Sequence, residues 1–265
     1  MKTPISYYGG KQKLVSTILP IIPVHVLYCE PFCGGAAVFF GKEKSEVEVI
    51  NDTNAELITF YKVVQTDFIS LEKEIRISLH SRRLHHDAEV IYSNPHMFSD
   101  LKRAWAVWVL AAQGFASMLD GSWGYDKKKG TTSKKISGKR ETFSEELAYR
   151  LQDVQIECTD ALRIIESRDT KDSFFYVDPP YFNSNCGHYD GYSREDFLML
   201  LDRLSKIEGK FLLSSYPSEE LSGYIKNYGW KTKSIEQLPI SKGNLGMLTV
   251  KSYKLAEQRY FYLSI

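Results

Sequence analysis

Short apolar segments alternate with helix-like stretches along much of this chain, and the first such unit carries its glycines where a strand hands over to a helix. Val26-Leu27-Tyr28-Cys29-Glu30 has the composition of a short buried strand. It runs through Pro31-Phe32-Cys33-Gly34-Gly35 into the helical Ala36-Ala37-Val38-Phe39-Phe40. Val47-Glu48-Val49-Ile50 is a second strand ending in Asn51-Asp52, and Asn54 to Val64 has helical patterning. Strand, glycine turn, helix, strand, acid is the order of a Rossmann-like nucleotide-binding half. The expected fold class is therefore α/β, a sheet with helices on both faces.

The alternation stops near residue 66 and resumes near 146. Leu147 to Leu151 reads as a helix, Val154 to Cys158 as a strand, and Ser173-Phe174-Phe175-Tyr176-Val177 as a strongly buried strand. A helix over Arg194–Leu204, a strand over Lys210–Ser214 and a helix over Leu221–Tyr228 follow, with a late strand, read as antiparallel, within Tyr253 to Ile265. Residues 1–65 and 146–265 thus form one expected domain, and 66–145 an inserted, mainly helical one. At 265 residues the chain has room for such an arrangement. Within the insert lie His- and Arg-rich helical segments with His80, His85, His86 and His96, read as a solvated polar face, and an aromatic helix with Trp105 and Trp108. The stretch Gly121 to Thr142 is polar and glycine-punctuated, and Gly130-Thr131-Thr132 and Gly138 in its basic part, 127–140, suggest a hairpin or mobile loop. At the amino terminus, Tyr7-Tyr8-Gly9-Gly10-Lys11 is a turn leading into an apolar-periodic helix over Leu14, Ile18, Leu19 and Ile22.

Asp178-Pro179-Pro180-Tyr181 closes the most apolar strand, and open α/β sheets place their ligands at strand carboxyl ends. The two prolines fix the backbone and remove two N–H donors. Carbonyls and the Asp178 carboxylate are left as rigid acceptors beside an aromatic ring. Such a site suits a planar aromatic amine: two acceptors take its two N–H bonds, and the ring stacks. Accepting both protons draws the nitrogen lone pair out of conjugation, and positioning then does most of the work. The bland alternative is a proline-terminated strand with a capping acid. The Glu30-to-Ala36 turn lacks G-x-G-x-x-G, and with Asp52 at the next strand end it suits a nucleoside cofactor without a pyrophosphate. Alone, that turn and the Tyr7–Lys11 turn could each be only a turn.

Taken in order, these elements resemble the Dam-type, D12 class adenine-specific DNA methyltransferases, in their α-group arrangement. That family has aromatic-x-G-G-K, E-P-F-x-G, D-x-N, an inserted target-recognition region and D-P-P-Y. This chain has Tyr7-Tyr8-Gly9-Gly10-Lys11, Glu30-Pro31-Phe32-Cys33-Gly34, Asp52-Thr53-Asn54, the insert, and Asp178-Pro179-Pro180-Tyr181. The resemblance implies a Rossmann-like sheet that binds S-adenosylmethionine and methylates the 6-amino group of adenine. It implies that Tyr7 and Lys11 line the cofactor and target pocket and that Glu30, Phe32 and Gly34 form the cofactor turn. Asp52 would hold the ribose and Asp160 the cofactor's adenine. Asp178, bordering the cofactor, and the Pro179 carbonyl would hold the target amine, with Pro180 fixing the turn and Tyr181 stacked on the base. The chain departs from the pattern at Ala36, where a second glycine is usual and its loss implies a relaxed turn, and at Tyr7, where tryptophan is familiar. The insert does not match readers of the GATC site.

The target adenine must leave the helix to be reached, so double-stranded DNA is the implied partner. Net charge is only +1, but Asp126 to Arg140 holds Lys127, Lys128, Lys129, Lys134, Lys135, Lys139 and Arg140 against the single acid Asp126. These are the candidate phosphate contacts; a solvated lysine loop is the alternative. No metal is expected, since methyl transfer from a sulfonium needs none. Four cysteines in a chain of this length do not make a disulfide framework, and no signal pattern or membrane-length apolar run is present. A cytoplasmic monomer is expected, one active site serving one flipped base. Three rivals remain. RNA or protein methyltransferases more often show N-P-P-Y, a catalytically silent DNA-binding protein would not need Asp178 and Tyr181, and a nicotinamide oxidoreductase would need the full glycine fingerprint.

Overall fold

The computed structural model describes residues 1–182, 192–236 and 258–263. Seven strands form one sheet: β1 (Leu27–Glu30), β2 (Val47–Asn51), β3 (Gln155–Glu157), β4 (Ser173–Val177), β5 (Lys210–Ser215), β6 (Lys231–Glu236) and β7 (Gln258–Leu263). Their spatial order is β3-β2-β1-β4-β5-β7-β6. The first five are parallel, with Leu27 opposite Val47 on one side and Ser173 on the other. β7 runs antiparallel between β5 and β6. From β1 the chain works outward to β2 and β3, then returns to the other flank of β1 as β4. The order reverses between β1 and β4, so the crevice beyond their carboxyl ends is where this topology binds ligands.

The helices are α1 (Val15–Ile18), α2 (Ala37–Gly41), α3 (Ala55–Thr66), α4 (Phe68–Ile77), α5 (Arg82–Ser93), α6 (Asp100–Gln113), α7 (Thr131–Glu141), α8 (Glu146–Leu151), α9 (Ala161–Arg168), α10 (Arg194–Leu204) and α11 (Glu219–Tyr228). The period-2 geometry of strands divides the sheet residues between two cores. Tyr28, Ile50, Phe174, Tyr176 and Leu212 point into a core shared with α2, α3, α6 and α8. Cys29, Val49, Phe175, Val177, Phe211 and Leu213 point into a second core with α9, α10 and α11. This is the Rossmann-like architecture expected from the sequence. Both faces are covered, which is why the central strands read as continuous apolar runs.

The helices of 66–145 do not have a core of their own. α6 is buried along its whole length from Ala104 to Gln113 and packs against α3, α4 and α5. Trp105 and Trp108 share one continuous cluster with Tyr28 and Ile50 of the sheet.

Several local expectations are revised. The helix expected over Leu14 to Ile22 is a single turn, α1, followed by a 3-10 turn at Leu19–Ile21, because Pro20 cannot continue the helical hydrogen bonding. The expected hairpin or mobile loop contains α7. Gly130 takes φ +49° at its start, and Asp126 accepts hydrogen bonds from Thr131 Oγ1 (2.9 Å) and Thr132 N. The histidines are not one solvated face. His85 is buried, and burial lowers its pKa, while His80 bonds Ser133 Oγ and Gly124 O, each at 2.9 Å. Among the described residues no helix is long and apolar enough to cross a membrane, and no three His, Cys, Asp or Glu side chains gather as metal ligands would.

Candidate active site

The glycine turn after β1 is held from several sides. Cys33 N donates to Asn51 O (2.8 Å) at the end of β2, Gly34 N donates to Asp52 Oδ2 (3.0 Å), and Tyr61 OH on α3 donates to Gly34 O (2.7 Å). Gly34 has φ +46°, and Ala36 has φ +50°, ψ +38°. The turn is therefore not relaxed by alanine at the position where glycine is usual. Ala36 keeps the left-handed conformation, at a cost of about 1–2 kcal/mol that the surrounding bonds offset. The glycine pair also makes room for the amino terminus. A Cβ on Gly35 would come within 2.9 Å of the Tyr7 Cβ, so Tyr7 packs directly on the turn.

Asp52 sits at the end of β2, where Oδ1 accepts from Asn54 N (3.0 Å) while Oδ2 accepts from Gly34 N. Burial raises its pKa. Asp160 caps α9, accepting from Leu162 N (2.9 Å) and Arg163 N (3.1 Å). At the end of β4, Asp178 meets Lys11, whose Nζ lies 2.6 Å from Oδ1, contacts Oδ2 more closely, and bonds Gly9 O at 3.1 Å. Tyr181 OH donates to Asp178 Oδ1 (3.0 Å) and bonds Ser214 Oγ of β5 (2.8 Å), and its ring lies 4.7 Å from that of Tyr216.

These groups border one cavity of about 580 Å³. Tyr7, Lys11, Glu30, Phe32, Gly34, Asp52, Asp160, Asp178, Pro179, Pro180 and Tyr181 all line it. A smaller cavity of about 230 Å³ shares the Tyr7, Tyr8 and Asn54 walls and is otherwise lined by Tyr92 and residues 117–120 of the insert. The sequence pattern described as D12 class N6 adenine-specific DNA methyltransferase matches residues 7–234. The chain belongs to this family.

Among curated proteins this D12 class chain is similar to the Type II methyltransferase M.MjaIII of Methanocaldococcus jannaschii, at 26% identity over 234 residues, covering 74% of this chain and 75% of that protein. It is similar to the modification methylase StsI of Streptococcus sanguinis, at 23% identity over 205 residues, covering 72% of this chain and 30% of that protein. A DNA N-6-adenine-methyltransferase of Escherichia phage P1 is 41% identical over 63 residues, 24% of this chain and 8% of that protein. The chain thus spans under a third of the length of the latter two relatives. An rRNA methyltransferase, AviRa from Streptomyces viridochromogenes, superposes over 95% of this chain and 82% of its own at a TM-score of 0.34 and 9% identity, a likeness too slight to carry argument.

The basic segment of this D12 class protein divides in two. Lys127, Lys128, Lys129, Lys134 and Lys135 are exposed. Lys139 and Arg140 turn inward instead. Lys139 Nζ donates to Ala111 O (3.1 Å), and burial pushes its pKa down to about 7. Arg140 donates to Ser78 O (2.9 Å) and Ser137 Oγ (3.0 Å). Both brace α7 against neighbouring segments, unlike the five exposed lysines. None of the seven basic side chains lines the cavity. The polar tract from Asn183 to Tyr192, read as a loop that orders over substrate, lies outside the described residues except for Tyr192.

Three contributors, Asn51, Asp196 and Met199, are not marked by the sequence. Asn51 ties the strand ends together: Nδ2 donates to Pro31 O (2.9 Å) and Thr159 O (3.0 Å), and Oδ1 accepts from Thr159 N (3.0 Å). Its neighbour Asp52 drew the attention, and only the sheet order brings the three loops together. Asp196 and Met199 of α10 also line the cavity, and nothing in their spacing marks them. Tyr192 lines it too, its ring edge-on to Phe32 at 6.2 Å.

Glu30 is fully buried, and its Oε1 accepts from Tyr28 OH (2.7 Å) and Phe39 N (2.6 Å). Burial pushes its pKa up to about 8, against the two hydrogen bonds that favour the charged form. A carboxyl whose pKa is raised on folding adds stability below its unfolded pKa and loses it as pH rises through the folded value. Stability should therefore fall between about pH 4.5 and about pH 8. Glu30→Gln keeps the accepting oxygen and removes the titration, so the variant should gain on the parent by a few kcal/mol across that window. Urea titrations at several pH values check this; parallel pH profiles for the two proteins would remove Glu30 as the source.

Proposed function

We propose that the protein transfers a methyl group from S-adenosylmethionine to the exocyclic 6-amino group of an adenine turned out of double-stranded DNA. The observation that carries this reading is the rigid Asp178-Pro179-Pro180-Tyr181 turn at the end of β4, facing the β1 glycine turn across one cavity. The cavity suits the cofactor. Its volume of about 580 Å³ exceeds what a single nucleobase needs. Asp52 and Asp160 supply carboxylate acceptors on one flank, and the Tyr192 hydroxyl is buried with no hydrogen-bond partner among the described residues. Bound there, S-adenosylmethionine would supply an electrophilic methyl group on sulfonium sulfur. Asp52, Glu30, Phe32, Gly34 and Asp160 would hold it, with Tyr7 and Lys11 closing the side toward the target.

The chain's own chemistry is to hold the amine. An ionised carboxylate has about four lone-pair sites. Lys11 uses both oxygens of Asp178 and Tyr181 uses one, so the amine takes a remaining direction on Asp178 while its second N–H goes to the Pro179 carbonyl. Both acceptors are fixed before substrate arrives, so little reorganisation is needed at the moment of transfer. The Tyr181 ring, steadied by Ser214 and Tyr216, offers the stacking face. Extrusion of the base costs a few kcal/mol, offset by stacking and phosphate contacts. Lys127, Lys128, Lys129, Lys134 and Lys135 are the phosphate contacts of this reading. Residues 66–145 would act as the target-recognition region while sharing the catalytic core. A cytoplasmic monomer, one chain acting on one base, completes the proposal.

The test is single-molecule sequencing of DNA from a methylation-deficient bacterium expressing the protein. The expected result is modified adenine in one consistent short motif. DNA without modified adenine, from cells holding soluble protein that binds S-adenosylmethionine, would move the substrate to RNA or protein.

A further inference from the structure

The loop from Gln113 to Tyr125 carries a cluster of cation and aromatic side chains that the catalytic site does not use. The Arg82 guanidinium, on the first turn of α5, stands 4.7 Å from the Trp123 ring centroid and 5.6 Å from that of Tyr125. Those two rings stack on each other at 5.5 Å and 16°, and His80 lies 4.8 Å from Trp123. The cluster is held from beneath by one buried amide. Gln113 Oε1 accepts from Trp123 Nε1 (3.2 Å) and Ser81 N (3.2 Å), and Gln113 Nε2 donates to Leu79 O (2.8 Å). Gly124 N donates to Gln113 O (2.7 Å) and Phe115 N to Ser122 O (2.8 Å), so the loop is tied across its width.

Arg82 differs from the other arginines of α4, α5 and α6. Arg76 pairs with Glu72, Arg83 with Asp87, and Arg103 with Glu56 and Asp100. Arg82 is exposed and has no carboxylate partner among the described residues. An arginine stacked on aromatic faces has its planar fork pre-oriented, so less side-chain entropy is lost when it grips an anion. Two residues beyond Tyr125 begin Lys127, Lys128 and Lys129, all exposed. The nearby acid, Asp126, turns to Thr131 and Thr132 at the start of α7 and makes no ion pair with these cations among the described residues. On its other edge the same loop lines the small cavity with Tyr7 and Tyr8, beside the catalytic mouth.

We infer that Arg82, seated on Trp123 and Tyr125, is a pre-oriented clamp for a phosphodiester of the DNA backbone and leads the strip of lysines that follows it. Bidentate arginine–phosphate contact is the chemistry this geometry suits. The inference rests on the proposed DNA substrate and adds a positioning residue to it. Phosphate contacts set register on the duplex rather than sequence, so Arg82 should affect affinity at every site alike.

The experiment is fluorescence anisotropy of the full chain with a labelled duplex between about 50 and about 200 mM salt, with S-adenosylmethionine binding measured by calorimetry on each variant. Arg82→Ala should reduce the slope of log affinity against log salt by about 0.9, one phosphate's share, with cofactor binding unchanged. Arg82→Lys should keep the slope and lose part of the affinity, because the charge remains but the stacked fork does not. Tyr125→Ala should likewise weaken binding with the slope kept. Parental slope and affinity in Arg82→Ala would overturn the clamp, and Arg82→Lys indistinguishable from the parent would overturn the role of the aromatic seat. If the parent binds S-adenosylmethionine but no duplex, the DNA reading itself fails and the clamp falls with it.

Discussion

Asp178→Ala is expected to lower methyl transfer roughly a hundred- to a thousandfold, the scale on which one pre-organised polar group at a reacting centre acts. The carboxylate ends β4 at the point where the strand order reverses, and its two oxygens gather Lys11 and Tyr181. Alanine removes the acceptor that fixes one amine proton, and the nitrogen lone pair stays conjugated with the ring. It also removes the anionic partner of Lys11, which is only 4% exposed. Breaking a buried ion pair by removing one member costs about 3–5 kcal/mol, so the alanine variant should also unfold at lower temperature. Asp178→Asn separates the two effects. Its carbonyl oxygen still accepts from Lys11 and Tyr181 and should retain most of the stability. Its amide nitrogen, however, places a donor where the second acceptor was, so transfer should still fall. Single-turnover tritium transfer on DNA, with thermal unfolding and cofactor calorimetry in parallel, reads each effect on its own. A folded Asp178→Asn protein with parental single-turnover rate would sink the amine-acceptor role.

What could be read from the sequence was whatever depends on neighbours along the chain. β4 was legible to the residue because five apolar side chains in a row need burial on both faces, and Asp178-Pro179 stops the strand. α10 was legible because Ser193 and Asp196 form a reciprocal capping box three residues apart. The glycine turn and the Tyr7–Lys11 turn declared themselves by residue type, but that Tyr7 lies on the turn, and Lys11 on Asp178, is a fact of the sheet order. α7 was not legible. Its one buried residue is Ile136, which gives no apolar period to detect, and its glycines and threonines read as loop. β6 was missed for a related reason: Lys231-Thr232-Lys233 carries no apolar alternation, and the strand exists through its pairing with β7. Charge alone does not tell an exposed side chain from one turned inward: Lys127–Lys129 are exposed, while Lys139 and Arg140 bond backbone carbonyls of neighbouring segments and Glu48 is buried. Ala36 is the converse case. Its departure from the family's glycine pattern implies a looser turn, but the bonds from Cys33, Gly34 and Tyr61 hold its backbone in the left-handed region.

The cluster around Glu48 supports the second large effect. Arg150 on α8 lies beside Glu48 of β2, with Nη2 2.8 Å from Oε1 and Nη1 closer still to Oε2. It also donates to Phe39 O (2.8 Å) and stacks its guanidinium 3.7 Å over the Phe39 ring. Both side chains are more than nine-tenths buried. Burial alone would raise the Glu48 pKa, but the bonds from Arg150 and Lys42 outweigh it and hold the carboxyl below its ordinary value. Arg150→Ala should cost about 3 kcal/mol, toward the lower end for a broken buried pair, because Lys42 Nζ remains 2.6 Å from Oε1. The exposed pair Lys44–Asp153, at 3.4 Å, joins the same two regions of chain. Lys44→Ala should nonetheless change stability by about 0.5 kcal/mol or less, since water screens that pair. The contrast decides whether it is burial or mere charge pairing that fastens the segment after the insert to the strand before it. Replacing both partners, Glu48→Gln with Arg150→Met, should recover little of the loss, because the Lys42 ammonium, only 6% exposed, then loses its carboxylate. Urea unfolding of the three variants measures this directly. A loss under about 1 kcal/mol for Arg150→Ala, within the range of an exposed pair, would mean that Lys42 alone satisfies Glu48 and that α8 is held by its apolar contacts through Leu147 and Leu151.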